Sequence, residues 1–267
     1  MTQISILGCG WLGLPLAVSL QRKGYSIKGS TTSEQKIVDL KKAGIRPFLI
    51  QLNAENTTGD VYGFLESSHT LIINVPPGMR GNSLELFSRK MEKLIPFIQQ
   101  SRIENVLFVS STSVFGDNQG VVDESTIPTP DSLSGKDLLR TEALLKSNPN
   151  FKTTVIRFGG LIGEDRHPVN YLSGKTNLTG GNTPVNLIHR NDCIRLIERV
   201  IETNFWDKTI HGVFPSHPSR YAYYTQQAIS RNLPPPHFEK VNQEFQKIIR
   251  SCVVENELQF EFHHNIV

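Results

Sequence analysis

Through the first 157 residues, apolar and polar positions switch back and forth between two periods. Gln3–Leu7 is a short apolar run, and Trp11–Lys23 repeats Leu12, Leu16, Val18 and Leu20 along one side of a helix. Tyr25–Lys28 predicts a second strand, Ser33–Ala43 an amphipathic helix and Pro47–Leu52 a third strand. Thr70–Val75 is a fourth strand, closed by Pro76-Pro77-Gly78, and Leu84–Gln100 a long helix bent at Pro96. Asn105–Val109, a helix over Ser132–Lys146 and a sixth strand over Thr153–Arg157 complete the series. Strands separated by helices of this length predict an α/β fold: a Rossmann-type doubly wound parallel sheet with helices on both faces. After residue 158 the pattern loosens into Gly-, Pro- and Asn-rich stretches around short elements at Leu187–Ile188, Cys193–Ile201, Gly212–Phe214 and Tyr221–Arg231. The expected division is a dinucleotide-binding core, 1–157, and a smaller C-terminal substrate lobe, 158–267, with late elements returning to the core.

The strongest local signal sits between the first strand and the first helix. Gly8-Cys9-Gly10-Trp11-Leu12-Gly13 is GxGxxG in the context that gives it meaning. Gly8 suits a tight turn, Gly10 close approach of a pyrophosphate, and Gly13 close packing of helix on strand. The helix start offers free N–H groups to phosphates. The second strand ends Lys28-Gly29-Ser30-Thr31-Thr32-Ser33, with no acid before Glu34. An acid there would accept from a ribose 2′-hydroxyl. Hydroxyls at Thr31, Thr32 and Ser33, with Lys28 and Lys36 nearby, favour a 2′-phosphate, so NADP is expected, with NAD as the alternative. Ser33 as a simple helix cap is the competing reading. The fourth strand ends at Asn74, Val75 and Pro76, a corner expected to pack on the cofactor.

Composition sets limits. The 267 residues are 38% hydrophobic and 20% charged, with net charge +3, which suits an ordinary globular protein and is too mild for a nucleic-acid partner. No run is long and apolar enough to span a bilayer, and the first residues lack a secretory pattern, so a cytoplasmic protein is expected. Cys9, Cys193 and Cys252 are far apart and form no zinc motif; no metal is expected.

The order of motifs resembles the extended short-chain dehydrogenase/reductase superfamily, in its branch of NAD(P)-dependent nucleotide-sugar epimerases and dehydratases. The resemblance is carried by GCGWLG at 8–13, VSSTSVFG at 109–116, VDESTIPTP at 122–130, RFGGLIG at 157–163 and NLIHRND at 186–192. It implies that Ser111, at the end of the fifth strand, bonds the substrate oxygen that gains or loses a proton, with Thr112 beside it. The alternative is that these hydroxyls only satisfy loop backbone. Arg157, Arg166 and His167 fall where the family's nucleotide-sugar loop lies, against the plainer reading of surface salt bridges. Lys175 is a further candidate for an anionic ligand.

The departure is equally specific. The family's general acid/base is a tyrosine on the helix after the fifth strand, with a lysine four residues on. This chain has six tyrosines and none between 63 and 170. Matching Glu142 to the family's glutamate puts Ser134 and Leu138 on the two positions; a shifted register puts Ser132 and Lys136 there. Tyr171-Leu-Ser-Gly-Lys175 spells YxxxK outside that helix and is taken as coincidence. Asp192 is expected to favour the first turn of the next helix, and His263-His264 to be surface residues. Three functions compete: an oxidoreductase or epimerase-like protein acting on a nucleotide sugar or related metabolite, a non-catalytic NADP(H)-binding sensor or assembly protein, and a cysteine-dependent nucleotide-sugar dehydrogenase. The last lacks a cysteine in the right setting. A homodimer is left open.

Overall fold

The computed structural model describes residues 2–76, 85–239 and 246–266. Pro77, Gly78 and Leu84, parts of two expected elements, lie outside them. Among the described residues the main sheet has seven strands: β1 (Gln3–Leu7), β2 (Ser26–Thr31), β3 (Arg46–Leu49), β4 (Thr70–Ile73), β5 (Asn105–Ser111), β6 (Lys152–Phe158) and β7 (Thr209–Gly212). Their order is β3-β2-β1-β4-β5-β6-β7, and every pairing is parallel. The order reverses between β1 and β4, which opens a crevice at the carboxyl ends of those strands.

The apolar runs of the sequence explain the layers. Ile4 and Ile6 face one side of the sheet and meet Leu16 and Leu20 of α1 (Gly13–Arg22), together with Leu196, Ile197 and Val200 of α7 (Arg190–Glu202). The opposite face packs on α3 (Val61–Leu65), α4 (Phe87–Gln99) and α5 (Leu133–Lys146) through Phe64, Phe87, Leu94, Leu138 and Leu145. Pro96 lies inside α4. β2 runs past Lys28 to Thr31, and β5 past Val109 to Ser111. The hydroxyl clusters are therefore strand ends rather than loops.

After residue 158 the chain divides between the sheet and a smaller cluster. β7 pairs with β6 and α7 covers the sheet, so both belong to the core layers. Gly160–Ile162 and Leu187–His189 instead form a small parallel pair. Beneath it Val169 and Leu172 of α6 (Val169–Leu172) and Tyr223 and Ala228 of α8 (Arg220–Ser230) make a third apolar cluster. Ile266 near the C-terminus joins that cluster.

That C-terminal segment is fastened by a buried acid. Asp192, in the first turn of α7, accepts from the backbone N–H groups of His263 (3.1 Å) and His264 (2.9 Å) and from Arg195 Nη1 (2.9 Å). Burial pushes its pKa up, but these donors outweigh it and hold the carboxyl below its ordinary value. His264 also stacks on His189, with ring centroids 4.6 Å apart. His263 is exposed and His264 half-buried, close to the expected surface placement, but both are tied to Asp192, which does more than complement a helix dipole.

Candidate functional site: a two-chambered cleft

The glycine loop closes on β4 by steric necessity. Gly8 has φ +100°, and a Cβ there would lie 2.5 Å from the Asn74 carbonyl oxygen. A Cβ on Gly13 would run into the Gly8 carbonyl oxygen and come within 2.9 Å of Asn74 Nδ2. Asn74 Nδ2 donates to that same carbonyl (3.1 Å), and Ser30 Oγ accepts from Gly8 N–H (3.0 Å). At Gly10 a Cβ would meet nothing within 4 Å. The middle glycine is therefore not needed for packing; it leaves open the space in front of α1. No side chain caps the N-terminus of α1. Leu14 N–H already bonds the Gly10 carbonyl (3.0 Å) and Leu16 N–H the Leu12 carbonyl (3.1 Å), and Pro15 has none, so the N–H groups just before Leu14 are the ones left to face that space.

Two adjoining chambers share Gly10, Asn74, Val75 and Pro76. The first, about 390 Å³, extends over Ser30, Thr31, Thr32, Ile50 and Phe87 to Lys36 and Lys90. Lys90 is paired with Glu85 (3.0 Å); Lys36 has no carboxylate partner among the described residues. Lys28, expected here, is elsewhere. It is buried and donates to the carbonyls of Gly63 (2.8 Å) and Glu66 (2.5 Å), and burial lowers its pKa. Alternation along β2 explains this: Lys28 and Ser30 share one face, but only Ser30 reaches the carboxyl edge. Ser33 is also outside the lining. Its hydroxyl donates to Gln35 (3.2 Å) and does not cap α2 (Gln35–Lys42).

The second chamber, about 460 Å³, is lined by Trp11, Leu12, Ser110, Ser111, Ser113, Ser134, Leu138, Leu161 and Arg166. Ser111 Oγ accepts from Ser113 N–H (3.1 Å) as the cap of a short 3-10 turn, Thr112–Val114, which leaves its own proton to point elsewhere. Thr112 does not line the cleft. Ser132 caps α5 by accepting from Gly135 N–H (3.0 Å). Ser132 is therefore spent outside the helix, and Lys136 lies on the outer face beside Asp131 and Arg140. Ser134 and Leu138, one turn apart, are the α5 residues in the cleft. No tyrosine lines it among the described residues.

Arg157 corrects an expectation. It is buried behind β5 and bonds Glu142 three times: Nη2 to Oε2 at 2.7 Å, and Nε to Oε1 and Oε2 at 3.1 and 3.2 Å. Ser110 Oγ donates to the same carboxylate (2.5 Å). The guanidinium is turned to α5 through Nε and Nη2, and Arg157 lines neither chamber. His167 is likewise buried, 2.8 Å from Tyr223 Oη, and burial pushes its pKa down to about 4. Lys175 lies outside the lining, with Nζ 3.1 Å from the centroid of the Tyr171 ring, and Tyr171 is 74% exposed. The YxxxK pair is thus a surface contact. Of the substrate candidates, Ser111 and Arg166 share the cleft; Thr112, Arg157, His167 and Lys175 do not.

Residues missed at the sequence level include Ser30, Ser110, Phe87 and Lys90. Lys90 follows a long connection and had no local signal. Cys9, whose thiol burial pushes up to about 12, and fully buried Cys193 are not reactive thiolates.

This combination of β1, glycine loop, α1, strand order and hydroxyl-ended β5 defines a Rossmann protein with the fold of the extended short-chain dehydrogenase/reductase superfamily. By sequence the chain belongs to the family of the Escherichia coli K12 protein named Protein YeeZ, with which it is 33% identical over 266 residues, covering 99% of this chain and 97% of that protein. No family model matches the sequence. Similar solved structures include a functionally unknown conserved protein from Silicibacter pomeroyi (TM-score 0.81, 20% identity, 100% of this chain and 95% of that one). A UDP-glucose 4-epimerase from Thermotoga maritima, solved with UDP-glucose, has TM-score 0.83 at 14% identity over 99% and 95% of the two chains. MoeE5, solved with UDP-glucose and NAD, has TM-score 0.77 at 17% identity over 98% and 94%.

Proposed function

We propose that the chain binds NADP(H) across the two chambers and holds a nucleotide sugar or related small metabolite beside it, without the tyrosine-dependent chemistry of its structural relatives. The observation that carries the reading is the space in front of Gly10: a turn shaped by Gly8 and Gly13, and an uncapped helix start whose N–H groups suit a pyrophosphate. Lys36, Lys90, Thr31 and Thr32 in the first chamber suit a 2′-phosphate, and no carboxylate lines that chamber among the described residues. When bound, the cofactor supplies a hydride donor or acceptor in the second chamber. Ser111 is the residue to donate a hydrogen bond to a substrate oxygen there, and Ser110, its proton committed to Glu142, can only accept.

What the second chamber lacks among the described residues is a base. Ser132 is a cap and Lys136 faces outward, so the register that remains puts Ser134 and Leu138 on the positions of the absent tyrosine and lysine. An aliphatic alcohol has no tuned proton to exchange at neutral pH, and Leu138 has none. That favours slow turnover, and it equally supports the second reading, a sensor that binds NADP(H) without consuming it. Fluorescence titration with NADPH and NADH tests the cofactor. NADPH should bind at least about tenfold more tightly, a difference of 1.4 kcal/mol, and Lys36→Ala should reduce that preference. Equal affinities, or tighter NADH, refute it. NADPH oxidation assayed with UDP-sugars then separates the two readings.

A further inference from the structure

Trp11, inside the glycine loop, carries an arginine pair that neither the loop nor the fold requires. Arg166 Cζ lies 5.1 Å and Arg190 Cζ 4.8 Å from the Trp11 ring. The indole Nε1–H is shared by both oxygens of Asp165, each at 3.0 Å, and Arg190 Nη1 reaches Asp165 Oδ1 at 3.2 Å. The ring lies against backbone: a Cβ on Gly163 would sit 2.8 Å from Trp11 Cζ2.

The two arginines are not equivalent. Arg190 is held by Asp165, and its Nε is buried with no partner among the described residues. Arg166 is exposed, lines the second chamber, and makes no ion pair or side-chain hydrogen bond among the described residues. Two guanidinium groups and one carboxylate leave one uncompensated positive charge. That charge lines the same chamber as Ser111 and Ser134. A cation–π contact at an exposed ring is weak enough for an anion to draw the guanidinium toward it, and a guanidinium fork matches a carboxylate or phosphate.

We infer that Arg166, poised on Trp11, is the anchor for an acid group of the second ligand. That ligand is a small hydroxylated anion, a carboxylate or a phosphate ester, whose hydroxyls meet Ser111 and Ser134. This rests on the proposed function in one respect: the dinucleotide's own phosphates are taken by Gly10 and α1, which leaves Arg166 to the other ligand. Asp165 and Arg190 act as positioning residues, because they fix the indole that holds Arg166 in place.

Trp11 itself reports the event. The chain has two tryptophans, so Trp206→Phe leaves Trp11 as the sole indole. Inorganic phosphate and succinate are titrated against this variant with and without saturating NADPH. The expected result is a saturable change in Trp11 emission with at least one of them, retained with NADPH bound, and about tenfold weaker in Arg166→Ala. Arg166 is exposed, so its removal should leave the melting temperature unchanged. Whichever anion binds more tightly names the acid group. No saturable change with either anion, equal affinity in Arg166→Ala, or displacement of the anion by NADPH would overturn the inference. Displacement would place the anion on the glycine loop. NADPH binding is followed separately by the nucleotide's own emission. If NADPH fails to bind, the cofactor reading falls, while the titration without nucleotide still decides the role of Arg166.

Discussion

Replacing Arg157 separates a structural role from a ligand-binding one. The guanidinium and the Glu142 carboxylate are 7% and 4% exposed as side chains, and the guanidinium also stacks on Phe115 at 5.2 Å. Arg157→Met keeps the length of the side chain but leaves Glu142 charged, buried and supported only by the Ser110 hydroxyl. Removing one partner of a buried pair costs about 3–5 kcal/mol. For a chain of this size each kcal/mol moves Tm by roughly 2–4 °C, so a fall of about 10 °C is expected. Arg157→Met combined with Glu142→Leu removes both charges and should recover most of the loss, because neither half is then buried alone. Thermal denaturation followed by circular dichroism reads both variants, and NADPH titration below Tm reads the cleft. Cofactor affinity should stay within about twofold of the parent, well under the tenfold that 1.4 kcal/mol would give. A Tm within about 2 °C of the parent would refute the buried-pair argument. Unchanged Tm with weakened ligand binding would return Arg157 to the cleft.

Three further outcomes follow from the same geometry. Gly10→Ala should fold normally yet lose dinucleotide binding, whereas Gly13→Ala should be destabilised by about 1–3 kcal/mol through overpacking; equal melting temperatures for the two would contradict the loop geometry. His167 and His211 are buried with pKa values pushed down to about 4, in both cases chiefly by burial. The unfolded chain therefore binds their protons first as pH falls below about 6.5, and stability is full above that value and lost toward pH 4, by up to about 3 kcal/mol for each histidine; melts at pH 7.5 and 5 should show the decline, smaller in His211→Asn, and a flat profile would count against it. Ser134→Tyr with Leu138→Lys places a phenol and an ammonium one helical turn apart in the second chamber, and should raise NADPH-linked turnover of a UDP-sugar by about a hundredfold or more; no gain in a folded, NADPH-binding double variant would refute that register.

Most of the sheet was legible because β1, β4, β5 and β6 are apolar runs bounded by helices of the right period, and because parallel strands covered on both faces tolerate few polar residues. The exceptions mark where periodicity fails. β2 ends in Ser30 and Thr31 and was expected to stop at Lys28, since a buried lysine and two hydroxyls do not look like a strand. Lys28 is there because the carbonyls of Gly63 and Glu66 at the end of α3 accept its protons, a partnership 35 residues away that no local pattern contains. β7 was not among the expected strands, because Thr209–Gly212 is short and falls in the loosened composition after residue 158. Thr209–Gly212 returns to the sheet edge beside β6 through contacts that composition does not encode.

The cleft shows the same division between local and distant causes. Gly8, Gly10 and Gly13 stood out in the chain alone because their spacing and place between strand and helix are local, although the atoms that crowd Gly8 belong to Asn74 and Val75 of a distant strand end. The row Ser110, Ser111, Thr112 and Ser113 could not be sorted that way. Ser110 turns inward only because Glu142 and Arg157 form an ion pair beneath it. Ser111 is fixed by its own downstream N–H, and Ser113 reaches the cleft because the chain turns there. Arg157 was misjudged for the complementary reason: an arginine at the carboxyl edge of a strand looks like a ligand contact until the helix that covers it is known to carry an acid. The same helix decides the chemistry. Once Ser132 is its cap, a rise of 3.6 residues per turn sends Ser134 and Leu138 to the cleft and Lys136 away from it. That the cleft-facing position carries Ser134 rather than a phenol then rests on where one hydroxyl caps one helix, and under the proposed function cofactor binding and proton transfer would be separable, as the double variant at 134 and 138 tests.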